Sequence, residues 1–414
     1  MKNCFYLSTK RVHAIVLCIF SFLITDLFSQ NSTSKELDLV DVFNKFSSSK
    51  AHNDSTQIED RKTHFALLPN IGYSGQTGIQ AGIGGNVTYF GSDNPNQKIS
   101  NVLYNAMYCQ YKQFISMVQG NLWTHNNAYN IVTDWRYFKF PQKDYGLGSQ
   151  TKIENENLID YSYLRLYQTI LKQIATNYYV GIGYNLDYHW GISEQANYSS
   201  KQPTDFIVYT KGDLDKATTS SGITLNFLFD NRLNSINPES GFFSNIIYRQ
   251  NYTNLGSEEN WQSLLIDVRK YFKLSAKSKN VLALWTYNTF TFGGDAPYLD
   301  LPNTGGDEFS NSGRGYIQSR FRGRNMLYLE SEYRFRILKN DFLGGVLFAN
   351  AQSFSEWPDN SFRKISPAFG AGLRIKMNKH SRTNASIDYA FGLGDNTFGI
   401  NGNRGLFLNL GECF

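Results

Sequence analysis

Between Leu327 and Ile337 the chain alternates. The odd positions are Leu327, Leu329, Ser331, Tyr333, Phe335 and Ile337, and the even positions are Tyr328, Glu330, Glu332, Arg334 and Arg336. Successive side chains of an extended strand point to opposite faces, so this segment predicts a strand with one apolar face and one charged face. Two architectures accept such a strand. In a soluble sandwich the apolar face meets the core and the charged face meets water. In a transmembrane barrel the apolar face meets lipid and the charged face lines a polar lumen.

The same period recurs along the chain. Ile223, Leu225, Phe227 and Phe229 share a face, and Leu264, Ile266 and Val268 lie opposite Asp267 and Arg269. Phe369, Ala371, Leu373, Ile375 and Met377 oppose Gly370, Gly372, Arg374 and Lys376, while Ile387, Tyr389, Phe391 and Leu393 oppose Ser386 and Asp388. Sixteen strand-like runs follow one another, at 64–73, 79–90, 99–110, 113–124, 127–139, 157–171, 174–190, 218–229, 241–252, 260–273, 279–292, 325–338, 341–353, 362–377, 380–393 and 401–414. Most are twice the ~5–6 residues usual in globular strands, the length a tilted membrane crossing needs. The links at 125–126, 172–173, 339–340 and 378–379 are tight, whereas 140–156, 191–217 and 293–324 are long, and long and tight links fall on opposite ends of the runs. Outer-membrane barrels show this asymmetry, with short periplasmic turns and long external loops; a sandwich has no reason for it. The predicted fold is therefore all-β, a 16-stranded antiparallel transmembrane barrel over 64–414, with both ends periplasmic.

Composition agrees. The chain has 27 Tyr and 31 Phe, only 18% charged residues, and a mean hydropathy of −0.40, as expected when half of each strand faces a wet lumen. No basic block suited to nucleic acid is present. Residues 1–29 read as a secretory signal, with Lys2, Lys10 and Arg11 ahead of the apolar run Ala14–Leu23 and with Ser29 at the cleavage point. Residues 30–63 read as a flexible periplasmic lead; Leu39, Val42, Phe43 and Phe46 also fit one short amphipathic helix, and the sequence leaves both readings open. Cys109 and Cys413 remain after the signal and fall at opposite ends of their strands, so both are predicted free. The six His are scattered and form no metal-ligand spacing. Gly72-Tyr73-Ser74-Gly75 lacks the nucleophile-elbow spacing, and the Gly-rich stretch 78–85 precedes no helix. No catalytic residue, cofactor or metal is assigned, and the chain does not read as an enzyme.

The last run ends RGLFLNLGECF, with Leu406, Leu408, Leu410, Glu412 and Phe414 predicted on one face. It resembles the C-terminal signal by which outer-membrane barrels are recognised for assembly. Arg314-Gly315-Tyr316 lies in the longest link, ahead of the SEYRF segment with Glu332 and, one step away on the same face, Glu330. Loop and strand resemble those of the bacterial surface antigen superfamily, the barrels of the BamA and TamA type. The resemblance also takes in the turn from Asp230-Asn231-Arg232 to Gly241 and the stretch Gly370–Asp388; it spans about 64–414 and is strongest after 222. It implies a loop folded into the lumen, with Arg314 reaching Glu332 and Glu330 on the inner wall. Asn350 stands where an acid is usual, and Gln352 where Gly is usual, which weakens one of two implied anchors. The 33 or so residues between signal and barrel leave no room for the substrate-capturing POTRA domains, so the chain resembles a barrel-only member.

Pro69 in the first run cannot donate to a ladder, so it marks either a short first strand or a weak seam. That seam would join the first strand to the last, with Leu408, Leu410 and Phe414 on the other side. The implied partners are outer-membrane lipid, lipopolysaccharide, and a protein partner or a second copy of the chain, without nucleic acid. Three functions stay open at this point: assembly or translocation of outer-membrane proteins through the seam with a partner, a solute channel, and a structural or docking barrel in a larger outer-membrane complex.

Overall fold

In the computed structural model of this protein the alternating runs are strands. The structural description covers residues 36–39, 41–42, 63–74, 77–94, 97–195, 203–213, 216–275, 278–379, 382–393 and 404–414. The strands are β1 (His64–Ser74), β2 (Gly78–Phe90), β3 (Ile99–Cys109), β4 (Phe114–Trp123), β5 (Tyr129–Lys139), β6 (Gln142–Asp144), β7 (Asn157–Ala175), β8 (Tyr178–Gln195), β9 (Thr218–Asp230), β10 (Gly241–Asn251), β11 (Trp261–Ser275), β12 (Ser278–Phe292), β13 (Asn325–Arg336), β14 (Leu343–Phe354), β15 (Ser366–Asn378), β16 (Thr383–Gly392) and β17 (Arg404–Leu410). β6 is a three-residue piece on the far end of β7, beyond the β5–β7 ladder. The other sixteen make the wall. Each pairs antiparallel with the next, from β1–β2 round to β16–β17. The Cα traces of β1 and β17 approach within 8 Å, which brings the last strand back to the first and curls the sheet into a barrel.

The two faces of the wall settle which architecture this is. On β13, Glu330 and Glu332 are 0% exposed while Leu329 is 60% exposed. On other wall strands Ile182, Ile223, Leu225, Leu347 and Phe369 also face outward. Charges inside and large aliphatics outside invert a soluble protein. Lipid on the outer face removes the cost of that apolar surface.

Short turns and long loops gather at opposite ends. At the turn end, 176–177 links β7 to β8, with Asn177 at φ 67°. At the loop end, the segment 293–324 packs with Phe140, Leu147 and Ile159, and with Phe206 from a one-turn helix, α1 (Asp205–Tyr209), in one apolar cluster over the mouth. Tyr298 is at its centre, 5.0 Å from the Phe206 ring and 5.6 Å from that of Tyr209.

The segment ahead of the barrel docks on the turn end. Leu37 N donates to Asn340 O at 3.0 Å, and Lys379 N donates to Asp38 Oδ2 at 3.0 Å. Val42 N donates to Asp38 O at 3.2 Å, one turn of helix that takes in Leu39 and Val42. Phe43 and Phe46 of the amphipathic pattern, and the secretory signal over 1–29, lie outside the described residues.

Candidate functional site: an arginine inside the barrel

Lumen-facing side chains of β13 come from the even register of its alternation, and the antiparallel ladders bring their counterparts on β14, β15 and β16 alongside. Glu330 pairs across with Asn350, and Gly372 pairs with Asp388. The inner wall here carries Glu330 and Glu332 on β13, Arg374 on β15 and Asp388 on β16, all buried.

Into this cluster comes Arg314, 1% exposed, from the loop 293–324. Its Nη2 donates to Glu330 Oε1 and Glu332 Oε1, and its Nη1 donates to Asp388 Oδ2 at 2.5 Å. The guanidinium carbon lies 3.6 Å from the Phe348 ring centroid, so one face is covered by an aromatic while the edge carries the charge-assisted bonds. A planar fork with five donors reaches three carboxylates at fixed angles, a geometry that a compact ammonium does not reproduce.

Two further arginines close the network. Arg334 Nε donates to Glu332 Oε2 at 2.7 Å, and Arg374 reaches Asp388 at 2.5 Å and Glu412 at 2.8 Å. Glu330 has no such second cation. Beside Arg314, it accepts only from the Tyr328 hydroxyl among the described residues.

The flanking residues fix the loop's path. Gly315 has φ 107°, and a Cβ there would lie 2.7 Å from the Ala368 Cβ, so both backbone angle and space call for glycine. Tyr316 donates its hydroxyl to Pro367 O at 2.7 Å and packs edge-on against Phe321. Asn350 Nδ2 donates to Arg314 O at 2.9 Å. An amide does here what a carboxylate could not, since it gives a donor to a backbone carbonyl. Gln352 takes the opposite role, its Oε1 accepting from Thr304 Oγ1 at 3.1 Å, with its backbone in the β14 ladder.

The loop also reaches the opposite wall. Gln119 Nε2 of β4 and Arg136 Nη2 of β5 donate to Glu308 O at 2.9 and 2.6 Å. It therefore crosses the lumen from β4–β5 to β13–β16.

The Omp85 superfamily domain matches residues 116–414 of the chain. The chain belongs to the Omp85 superfamily. A search of curated protein sequences finds no match. Among solved structures, the fold is similar to that of BamA from Haemophilus ducreyi lacking POTRA domains 1–3, with a TM-score of 0.54 and 14% identity over 84% of this chain and 70% of that one. It is also similar to CdiB from Acinetobacter baumannii, with a TM-score of 0.52 and 11% identity over 84% of this chain. For CdiB from Escherichia coli the TM-score is 0.50 at 10% identity over the same share. The chain spans 65% and 61% of those two CdiB chains, less than two thirds of either. At such identities these likenesses speak to fold alone.

In this Omp85 barrel Arg314, Gly315, Tyr316, Glu330, Glu332 and Asn350 thus stand at one place, on one end of the loop. Sequence reasoning missed Asp388 as a partner, although the alternation had put it on the polar face of its strand. It also missed the other end of the loop. There Arg322 Nε donates to Asp144 Oδ1 of β6 at 3.1 Å and Nη1 to Tyr298 O at 3.1 Å, while Tyr298 donates to Asp144 Oδ2 at 2.6 Å. The three arginines of the QSRFRGR stretch after Ile317 were the available signal.

The predicted seam residues lie on the first and last wall strands and on the segment that follows β17. Pro69 is opposite Ile83 in the β1–β2 ladder, and Leu408 is opposite Ile387 in the β16–β17 ladder. Leu410 pairs with Ala385 and ends its strand. Phe414 departs from the predicted alternation. The strand stops before it, Gly411 has φ 108°, and the Phe414 ring is buried in the lumen, 5.1 Å from that of Trp285. The glycine permits a left-handed turn that alternation alone cannot foresee. Among the described residues no ladder joins β1 to β17.

Two other clusters of ionisable groups among the described residues are occupied by internal partners. Glu330, Glu332 and Cys413 lie within 4.8 Å of one another, but the Arg314 guanidinium takes both carboxylates. Ser220 donates to Asp300 at 2.5 Å, and the His189 ring nitrogen is 3.7 Å from that carboxylate, so the serine is bound to the acid and not to a base. Cys109 and Cys413 are both free and buried.

Proposed function

We propose that this outer-membrane barrel serves the assembly or translocation of other outer-membrane or surface proteins together with a protein partner, and that the loop 293–324 plugs it at rest. The observation that carries the plug is the loop's passage across the lumen, tied to β4–β5 by the Glu308 carbonyl and to β13–β16 by Arg314. A lumen bridged in this way does not suit free diffusion of solutes. The working element in this reading is the junction of β1 and β17, the two wall strands without a ladder between them among the described residues. The long loops face outward and the N-terminal lead and short turns face the periplasm.

Outer-membrane proteomes of cells with and without the chain test the reading. Specific outer-membrane or surface proteins should be depleted in its absence. An unchanged proteome, with altered uptake of small solutes, would transfer the chain to the channel class. Orientation is read separately: a Cys placed at Asn254 or Asn360 should react with an impermeant maleimide on intact cells, and one at Thr176 should not, all three positions being exposed. The opposite pattern inverts the topology.

A further inference from the structure

The final residues leave the wall and enter the lumen. After Leu410, Gly411 takes φ 108° with nothing within 4 Å of where its Cβ would be, so the turn depends on backbone freedom and not on lack of space. Glu412 then accepts from Arg374 Nε at 2.8 Å and from Asn384 Nδ2 at 2.6 Å. Phe414 O accepts from Arg334 Nη2 at 2.8 Å, and its ring sits against those of Trp285 and Tyr271. Cys413 is 5% exposed between them.

Part of this seat is the inward loop itself. Asn311 Nδ2 donates to Cys413 O at 2.9 Å, and Asn409 Nδ2 donates to Asn311 Oδ1 at 2.7 Å. Asn311 is held in turn by Asp307, which accepts from the backbone of Asn311 at 3.1 Å and of Ser312 at 2.6 Å. The two wall arginines are shared as well. Arg334 serves both Glu332 and Phe414 O, and Arg374 serves both Asp388 and Glu412, while Glu332 and Asp388 are the carboxylates that receive Arg314.

We infer that the loop and the C-terminal tail form one clasp, so that withdrawal of the loop unseats residues 412–414 and frees the end of β17, the strand that borders β1. This rests on the plug reading above and adds to it a route from the lumen to the seam. When the loop leaves, Cys413 O loses its donor, and Glu332 and Asp388 must be neutralised by Arg334 and Arg374 alone. Both arginines are then drawn from the tail. By reciprocity, weakening the tail's seat must weaken loop docking by the same factor.

Cys413 is a native reporter. Maleimide labelling of the folded protein in vesicles, read on the C-terminal peptide by mass spectrometry, measures its protection whatever Cys109 does. Wild type should be protected. Asn311→Ala should label about tenfold faster, as loss of one buried hydrogen bond with its partner left unsatisfied implies. Gly411→Val, which strains the turn without a clash, should do the same. Deletion of 303–319 removes the loop's share of the seat outright, and variants are compared only where the unboiled band shows a folded barrel. Protection retained at the wild-type rate in Asn311→Ala and in any folded deletion variant overturns the clasp, as does free labelling of wild type. Conductance on the same samples keeps the two readings apart. Arg314→Ala that conducts while Cys413 stays protected leaves the plug and removes the clasp; labelling without conductance leaves the clasp and removes the plug.

Discussion

Two of the places that hold the loop 293–324 differ in their chemistry. At its tip, Arg314 makes its side-chain bonds to carboxylates alone, and those belong to the wall. At its base, Arg322 spreads over Asp144 and the loop's own carbonyls at Tyr298 and Leu301, amid the aromatic cluster of the mouth. Burying charge is costly, and a guanidinium set among carboxylates offsets that cost only while every partner stays. The tip is therefore all-or-none, whereas the base has many small contributions that can be lost one at a time. A loop meant to stay would be fastened by the second kind alone. The first kind gives two states, and two states are what a gate needs.

The largest expected effect follows from removing the tip. In Arg314→Ala, Glu332 keeps Arg334 and Asp388 keeps Arg374, but Glu330 keeps only Tyr328. Stranding that one carboxylate should cost about 3 kcal/mol of loop docking, roughly a hundredfold in the docked population. Planar-bilayer conductance should change from low and flickering to large, long openings. Adding Glu330→Ala should restore much of the barrel's thermal stability without closing the pore, because the unpaired charge is gone but the latch is not. Arg314→Lys should rescue only in part. Wild-type currents like those of an open pore, unchanged in all three variants, would remove the contrast between tip and base.

Arg322→Ala should do less. Asp144 would still accept from Tyr298 at 2.6 Å and from Gly146 N at 3.0 Å, so no carboxylate is stranded and about 2 kcal/mol is at stake. Hydrogen exchange should quicken at 296–303 while the tip stays protected and conductance stays low. Equal opening in both variants would show that the loop detaches as one piece.

The base should also respond to pH. Burial first, and then the nearby Asp187 carboxylate, push the Asp300 carboxyl up to about 7, against the pull of the Ser220 hydroxyl and of Arg249 and Arg165, with His189 beside it. A carboxyl raised in the docked state favours docking in its neutral form. That contribution is complete at low pH and is lost as pH rises through about 7. A nitroxide at Asp295 should therefore report more motion at pH 8 than at pH 6, and Asp300→Asn should flatten the response. Greater motion at the lower pH would reverse the sign and reject the account.

What the sequence disclosed depended on range. Strand alternation is a local signal of period two, and β13 could be read without any other part of the chain. The sixteen wall strands and the contrast of long loops with short turns followed from it. The Arg314 site was legible only through its likeness to a known loop, because its partners lie 16, 18 and 74 residues away on two separate strands of the wall. Arg322 and Asp144 are 178 residues apart, and no local rule joins them. The tail was misread for a simpler reason. Leu406, Leu408 and Leu410 set a rhythm that Phe414 continues on paper, but Gly411 breaks it in the backbone, and a glycine inside the run 401–414 was the visible warning.

The smallest expected effect lies at the turn end and carries the opposite sign to Asp300. Lys379 Nζ donates to Asp41 at 2.9 and 3.0 Å, next to the Lys379 N–Asp38 bond that fastens the N-terminal turn below β15 and β16. Burial alone would raise the Asp41 carboxyl, but the hydrogen bonds from Lys379 and the Asp38 backbone, with the lysine charge, hold it below its ordinary value. A depressed carboxyl stabilises docking above its free pKa and loses that contribution as pH falls through the bound one. Acid should therefore release residues 37–42 while it tightens the base of the loop. The pair is part-exposed, so the change should be about 1 kcal/mol or less and should shrink in high salt. Fluorescence quenching of a probe at Leu39, followed from pH 7 to pH 3, reads it, with Asp41→Asn as the variant that should start from the released level at every pH. If acid instead tightens this segment, or if Asp41→Asn leaves it seated, the two ends of the barrel do not differ in the way their charges imply.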